Sequence, residues 1–340
     1  MKQIKRIGID TSKAVFTLHC VDQEDHPVHR GNFRRSQLLA FLRQLPAAEI
    51  ALEACGSAHY WGREISRLGH QVRLIPPQYV KPFVKRAKND RNDAEAICEA
   101  ASRPSMPFVP IKSAQQQAQG MVLKLRETLV AQRTRLINTL RGHAAEFGLI
   151  AAKGTSQVGA LLTAVETAPD LPADARAMLV LLAEEVAHLD SRITEIEARL
   201  HTAHRANPLS RRLAGIPGVG MITALTLAME VNPAAFKSGR HLSAWMGLTP
   251  REHSTGGKQR LGGISRAGHE RLRQLLVLGA TTVIRYAAKP EHRLATPWLT
   301  QLLARRPRKL AAVALANKTA RIVWAMMMSG EAYRQPAGTA

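Results

Sequence analysis

Ile4-Lys5-Arg6-Ile7-Gly8-Ile9-Asp10 and Ala14-Val15-Phe16-Thr17-Leu18-His19-Cys20-Val21 are the two runs on which the fold turns. Both are rich in β-formers, and the short polar Thr11-Ser12-Lys13 between them reads as a hairpin turn. Val28–Phe33 offers a third strand, and Ser36 stands where the N-cap of a helix reaching about Leu45 would stand. A short strand (Ile50–Glu53), a helix (about His59–Leu68) and a strand (Gln71–Ile75) ending at Pro76-Pro77 follow. A last helix fits Asp90–Ala101 and stops before Pro104.

Three strands in a meander followed by alternating helix and strand is the order of an RNase H-like α/β fold. Four acidic residues fall at telling places in it. Asp10 and Glu53 each end an apolar strand; Asp90 and Asp93, spaced i and i+3, share one face of a helix. Carboxylates converging from two strands and a helix repel one another unless a cation neutralises them, and an all-oxygen, hard donor set suits Mg²⁺ or Mn²⁺. Two such ions can flank a phosphodiester and stabilise its attacking and leaving oxygens. Each residue also has an ordinary use. Asp90 could cap its helix, and Asp10 could serve the turn beside it.

Beyond this unit the chain changes character. Val122, Leu125, Leu129, Leu136 and Leu140 are helically spaced, and Met178, Leu182, Val186, Leu189, Ile193, Ile196 and Leu200 make a heptad-like stripe. The stripe predicts either an antiparallel hairpin packing on itself or a dimerising arm. From about Pro208 the chain reads as mostly helical. Within it, Leu213-Ala214-Gly215-Ile216-Pro217-Gly218-Val219-Gly220 opens the helical run Met221–Val231 in the pattern of a helix-hairpin-helix. Such a turn offers backbone N–H groups to phosphate, with Gly215, Gly218 and Gly220 as its candidate contacts, or is simply a tight connection. Between 247 and 268 lie six glycines with Arg251, Lys258, Arg260 and Arg266, which predicts a flexible cationic loop on a phosphate backbone. A serine there could attack phosphorus, although a Ser-Thr-Gly-Gly string is also an ordinary turn.

Composition sets the outer limits. The 340 residues carry 48 Lys+Arg against 26 Asp+Glu, a formal net charge of +22, with 45% hydrophobic residues, so a globular polyanion-binding protein is expected and wholesale disorder is excluded. The charge is uneven: 17 basic and 11 acidic residues in 1–105, 11 and 10 in 106–205, 20 and 5 in 206–340. Those three regimes predict three units, 1–105, 106–205 and 206–335, with Ala337–Ala340 as a frayed tail. Three scattered cysteines make neither a disulfide framework nor a Cys-rich zinc site. The start MKQIKRIGID has no signal-peptide run, and Lys318 and Arg321 interrupt the apolar stretch Ala311–Met328, so a cytoplasmic protein without a transmembrane helix is expected.

In order along the chain, GIDTSK around Asp10, EACGSAHYW from Glu53, KNDRNDAEAI holding Asp90 and Asp93, LAGIPGVG, and GLTPREHSTGGKQRLGGISRAG carry a specific resemblance. Over nearly its whole length the chain resembles the DEDD-type transposases of the bacterial insertion-sequence one-ten family, the bridge-RNA-guided recombinases. The resemblance implies an N-terminal RuvC-like domain, a coiled-coil segment and a C-terminal transposase domain. It implies Asp10, Glu53, Asp90 and Asp93 as Mg²⁺ ligands, and Ser254 of the STGGK string as a nucleophile that forms a covalent 5′-phosphoserine link to DNA. Ser243 and Ser265, eleven residues to either side, are the other serines to consider. It further implies a composite site built between protomers of a homo-oligomer (a dimer, or a tetramer in the synaptic complex), and a noncoding guide RNA that pairs with donor and target DNA. Two other readings share some of these residues: a metal-dependent nuclease or junction resolvase that uses water, and a non-catalytic nucleic-acid-binding protein.

Overall fold

The computed structural model describes residues 3–85, 89–289 and 292–334. Lys88 of the KNDRNDAEAI string and the tail 337–340 lie outside them. The chain divides into two compact units, Met1–Ala118 and Gln119–Ala340.

The first unit is a mixed α/β structure. Its strands are β1 (Arg6–Thr11), β2 (Val15–Val21), β3 (Pro27–Arg34), β4 (Glu49–Glu53) and β5 (Gln71–Ile75), in the spatial order β3-β2-β1-β4-β5. The first three run antiparallel as a meander, whereas β4 joins β1, and β5 joins β4, in parallel. The parallel pairings need crossovers. The helices α1 (Leu38–Arg43) and α2 (Ala58–Arg67) supply them, and α3 (Pro77–Val80) and α4 (Asp90–Ala101) follow. One face of the sheet is sealed by Ile7, Ile9, Phe16, Leu18, Ile50 and Leu52 against α1 and α2, with Phe16 and Trp61 meeting edge to face at 4.9 Å. The expected N-cap at Ser36 is corrected: Gln37 caps α1 without a side-chain bond, its Oε1 having accepted from the Arg34 N–H instead.

The other face carries α4, and Gly8 decides how closely. A Cβ at Gly8 would stand 2.3 Å from the Ala94 carbonyl oxygen and 2.6 Å from the Cys98 nitrogen. The missing side chain lets the helix backbone press directly on β1, which fixes where the first turn of α4 lies over the strand end.

The second unit is helical apart from one hairpin. The long helix α5 (Ala114–Ala145), α6 (Val158–Thr167) and the long α7 (Ala173–Ala206) come first. The α5 and α7 helices pair antiparallel, bridged by Arg126–Glu197 and Arg133–Asp190. The apolar stripe on α7 holds from Val186 through Leu200, but its start is corrected. Leu179 and Ala183 are buried, Met178 is 57% exposed and Leu182 lies at the margin. On α5 the buried positions are Leu123, Ile137, Leu140 and Ala144, and Leu125 is exposed. A straight helix drifts about 20° per heptad from a 3.5-residue repeat, so a stripe that fits one end runs off the seam at the other.

Next come α8 (Pro208–Leu213), α9 (Met221–Glu230) and α10 (Gly239–Trp245). The strands β6 (Pro250–Glu252) and β7 (Leu261–Ile264) form a hairpin, followed by α11 (Glu270–Ala287), α12 (Pro297–Arg305) and α13 (Arg308–Ser329). With a mean hydropathy of 1.2 over its most apolar window, α13 is the one helix among the described residues long and apolar enough to cross a membrane. Ala311, Ala312, Ala316, Ala320 and Val323 of that helix are buried in one core with Leu242, Leu272 and Leu276, and Lys318 lies over the Trp298 ring at 4.1 Å.

Candidate active site

Side chains at the end of β1 and in the first turn of α4 are brought together by the fold just described, with the end of β4 on the neighbouring strand. Asp10, the penultimate residue of β1, and Asp90 and Asp93 each present a carboxylate oxygen within 4.8 Å of the other two. Asn89, not Asp90, caps the helix: its Oδ1 accepts from the Asn92 N–H at 2.8 Å. Asp90 is thus released from capping, and both aspartates sit where a helix N-terminus favours negative charge. Glu53 lies outside that trio, at the end of the adjacent parallel strand, one position past the Ile9–Leu52 pairing.

Electrostatics ties all four together. Burial pushes the Asp10 carboxyl up to about 6, and the charges of Asp90, Asp93 and Glu53 add to the rise, against a hydrogen bond from the Thr11 backbone. A cation bound there would compensate the charge and favour the ionised form. An oxygen-only set from regular elements, one member of which is raised by burial and by its acidic neighbours, fits a hard divalent cation. A second acidic grouping, Asp22, Glu24 and His26, is a turn in which Asp22 Oδ1 accepts from the backbone N–H groups of Glu24 and His26.

The strings flanking these carboxylates hold the frame. In EACGSAHYW, Trp61 is core, His59 Nδ1 accepts from the Lys112 N–H at 3.2 Å, and the Arg35 guanidinium covers the Trp61 ring at 4.9 Å.

In the second unit, the expected flexible loop is an ordered hairpin. His253 N–H reaches the Arg260 carbonyl at 2.9 Å, Thr255 and Lys258 exchange backbone bonds, and Gly256 and Gly257 take φ of 56° and 75° at the tip. Two consecutive positive φ values make the turn that matches strand twist, which is why two glycines stand there. At its base, Arg273 donates to the carbonyls of Met246 and Ala267, and a Cβ at Gly268 would lie 1.7 Å from the Trp245 oxygen. Rigidity at the base and exposure at the tip follow.

The three serines separate clearly. Ser243 is buried on α10 and donates to the Arg240 carbonyl at 2.9 Å. Ser265 is half-buried, and its Oγ accepts from the Ala267 N–H. Ser254 is exposed on the hairpin, donates to Glu252 Oε1 at 2.6 Å and accepts from the Arg260 N–H at 3.2 Å. Of the expected cations, Lys258 and Arg260 are exposed on the same hairpin, Arg266 is exposed at its base, where its N–H reaches the Gly247 carbonyl, and Arg251 Nη2 donates to the Ser265 carbonyl. Sequence reasoning assigned Glu252 no role. The signal was its two-residue spacing from Ser254, because alternate residues of an extended chain share a face.

The helix-hairpin-helix turn packs by glycine contact. Gly218 (φ 84°) meets Gly279 of α11, where a Cβ on either would strike the other's carbonyl oxygen. Gly220 faces open space and caps α9 with no side-chain bond, so the first N–H groups of that helix have no side-chain cap. Gly215, Pro217 and Gly220 line a groove that also includes Arg126 and Arg293.

A carboxylate set suited to a divalent cation, on a chain that also carries a strongly basic helical unit, points to a class, enzymes that act on DNA strands, and the comparisons narrow it. Residues 7–148 match the DEDD-type IS110 model described as "Transposase", and residues 210–295 match "Transposase IS116/IS110/IS902 family". The protein y4pF/y4sB of Sinorhizobium fredii, which bears a transposase name, is 50% identical over 341 residues, covering 100% of this chain and 88% of its own. The transposases for insertion sequence elements IS1111A of Coxiella burnetii and IS1328 of Yersinia enterocolitica are each 40% identical over 98% of this chain, covering 92% and 99% of theirs. The chain belongs to the IS110 family of transposases, and it is a DNA transposase/recombinase enzyme.

Proposed function

We propose that this transposase cleaves and rejoins DNA strands through a covalent 5′-phosphoserine intermediate on Ser254, with a Mg²⁺-dependent carboxylate centre and a noncoding guide RNA. The observation that carries this reading is the convergence of Asp10, Asp90 and Asp93 within 4.8 Å on a chain of this family. The strand order of the first unit supports a RuvC-like fold for residues 1–105; we read 106–205 as a coiled-coil or helical segment and 206–335 as the transposase domain.

Asp10, Glu53, Asp90 and Asp93 would hold the divalent ion. When bound, it would supply Lewis-acid stabilisation of charge on the phosphodiester oxygens. Gly215, Gly218 and Gly220, with the open start of α9, would take a phosphate without reading sequence, and Arg251, Lys258, Arg260 and Arg266 would lie along the backbone near the serine. Sequence choice would then fall to base pairing with the guide, in a cytoplasmic, nucleoid-associated oligomer.

The test combines two variants and one titration. Strand cleavage should rise with Mg²⁺, vanish in Asp93→Asn while that variant still retains DNA, and leave no protein-linked DNA in Ser254→Ala. Cleavage that yields only free ends would point to water as the nucleophile. Retention of DNA with no divalent-dependent cleavage at all would overturn the catalytic reading.

A further inference from the structure

We propose that Glu252 is the general base for Ser254, taking its hydroxyl proton as the serine attacks DNA; this rests on Ser254 being the nucleophile. A serine hydroxyl is a weak nucleophile until a neighbouring base accepts its proton, so a nucleophilic serine should have such a partner within hydrogen-bond reach. Ser254 has one. Its Oγ–H points at Glu252 Oε1 at 2.6 Å, in the short range of an O–H···O⁻ bond.

The rest of the hydroxyl is also arranged for attack. Oγ carries one hydrogen and two lone pairs. The hydrogen is committed to Glu252 and one lone pair to the Arg260 N–H at 3.2 Å, which leaves the second lone pair for phosphorus. The hairpin fixes the pair. Glu252 is the last residue of β6, paired with Leu261, and Ser254 lies two residues on, before the Gly256-Gly257 turn. Among the described residues neither Ser243 nor Ser265 has a carboxylate partner: Ser243 donates to a carbonyl and Ser265 accepts from an amide N–H.

The chemistry balances. As the Oγ–P bond forms, the Oγ proton passes to Glu252, and the P–O3′ bond breaks. The 3′ oxygen leaves with the bonding pair and takes a proton from solvent. On rejoining, a 3′-hydroxyl attacks the phosphoserine and gives its proton to solvent. The Oγ–P bond then breaks, and Glu252 returns its proton to Oγ.

The experiment uses the full-length protein, purified with any RNA that accompanies it, and a labelled duplex spanning the element's end and its flank. The rate of covalent adduct formation is read on denaturing gels from neutral to alkaline pH, and DNA retention on native gels. Glu252→Gln should slow adduct formation by about 100-fold or more at neutral pH. It should rise more steeply with pH than wild type, since hydroxide must replace the lost base, and Glu252→Asp should recover part of the rate. DNA retention should be unchanged. Wild-type rate and pH profile in Glu252→Gln would overturn the base assignment, with Ser254 untouched as nucleophile. Parallel loss of DNA retention and adduct would make Glu252 a hairpin support and overturn it equally. An adduct that persists in Ser254→Ala would instead remove the nucleophile reading beneath it.

Discussion

The two candidate centres of this transposase are built on opposite principles. The carboxylate site is assembled from regular elements. One aspartate sits at the end of a central strand, two sit in the first turn of a helix, and a glycine contact holds that helix against the strand. The serine instead sits near the tip of an exposed two-stranded hairpin that is gripped at its base. The difference teaches a division of labour. Like charges forced together need a stiff frame to stay together, whereas a nucleophile that must reach a scissile phosphate and then hold a DNA end benefits from a projecting mount.

The sharpest way to break that contrast is to remove one charge from each centre's working set. Asp10→Asn or Asp93→Asn should lower strand cleavage by at least about 100-fold, measured on a labelled duplex, with DNA retention kept. If either variant unfolds instead, the carboxylates are structural and the contrast fails.

Next in size is a pair of glycine substitutions. Gly8→Ala places a methyl 2.3 Å from a backbone oxygen and should cost about 1–3 kcal/mol in denaturant melts, with cleavage lost as α4 shifts. Gly256→Ala meets no atom within 4 Å and should cost only the left-handed backbone penalty, about 1–2 kcal/mol. Equal losses of cleavage in the two would show that the hairpin is as rigidly constrained as the carboxylate frame.

A subtler test uses acid. Asp10 titrates near 6 in the folded protein against 3.8 as its ordinary value, so ionising it opposes folding. The cost is absent below the lower value, grows between the two and is complete above about 6. In chelator, Asp10→Asn should therefore melt higher than wild type at neutral pH, with the gap closing as pH falls through that window. A gap independent of pH would mean that neither burial nor the neighbouring carboxylates raise Asp10.

Smallest of all are the surface cations. Replacing Lys258 or Arg260 by Ala should weaken DNA binding across sequences and reduce the salt slope by about one each.

Much of the first centre was legible in the chain. Asp90–Ala101 and Gln71–Ile75 were bounded correctly because a capping Asn, a Pro pair and β-branched runs punctuate them. The i, i+3 spacing placed two aspartates on one face. What pattern could not supply was the role of Gly8, which depends on a helix some ninety residues further along the chain. The second centre was read less well. Six glycines suggested looseness, yet Gly256 and Gly257 serve a tight turn, and Gly268 permits a close backbone approach. Along α7, a repeat of 3 and 4 fitted both ends equally well on paper, and only packing against α5 shows where it leaves the seam.

One measurement bears most directly on the whole account: identify the residue that carries the DNA. Wild-type protein reacted with a duplex spanning the element's end, digested with nuclease and protease, should yield one nucleotide-modified peptide containing Ser254, with a 5′-phosphate link. Modification at Ser243 or Ser265, or cleaved DNA with no modified peptide, would contradict it.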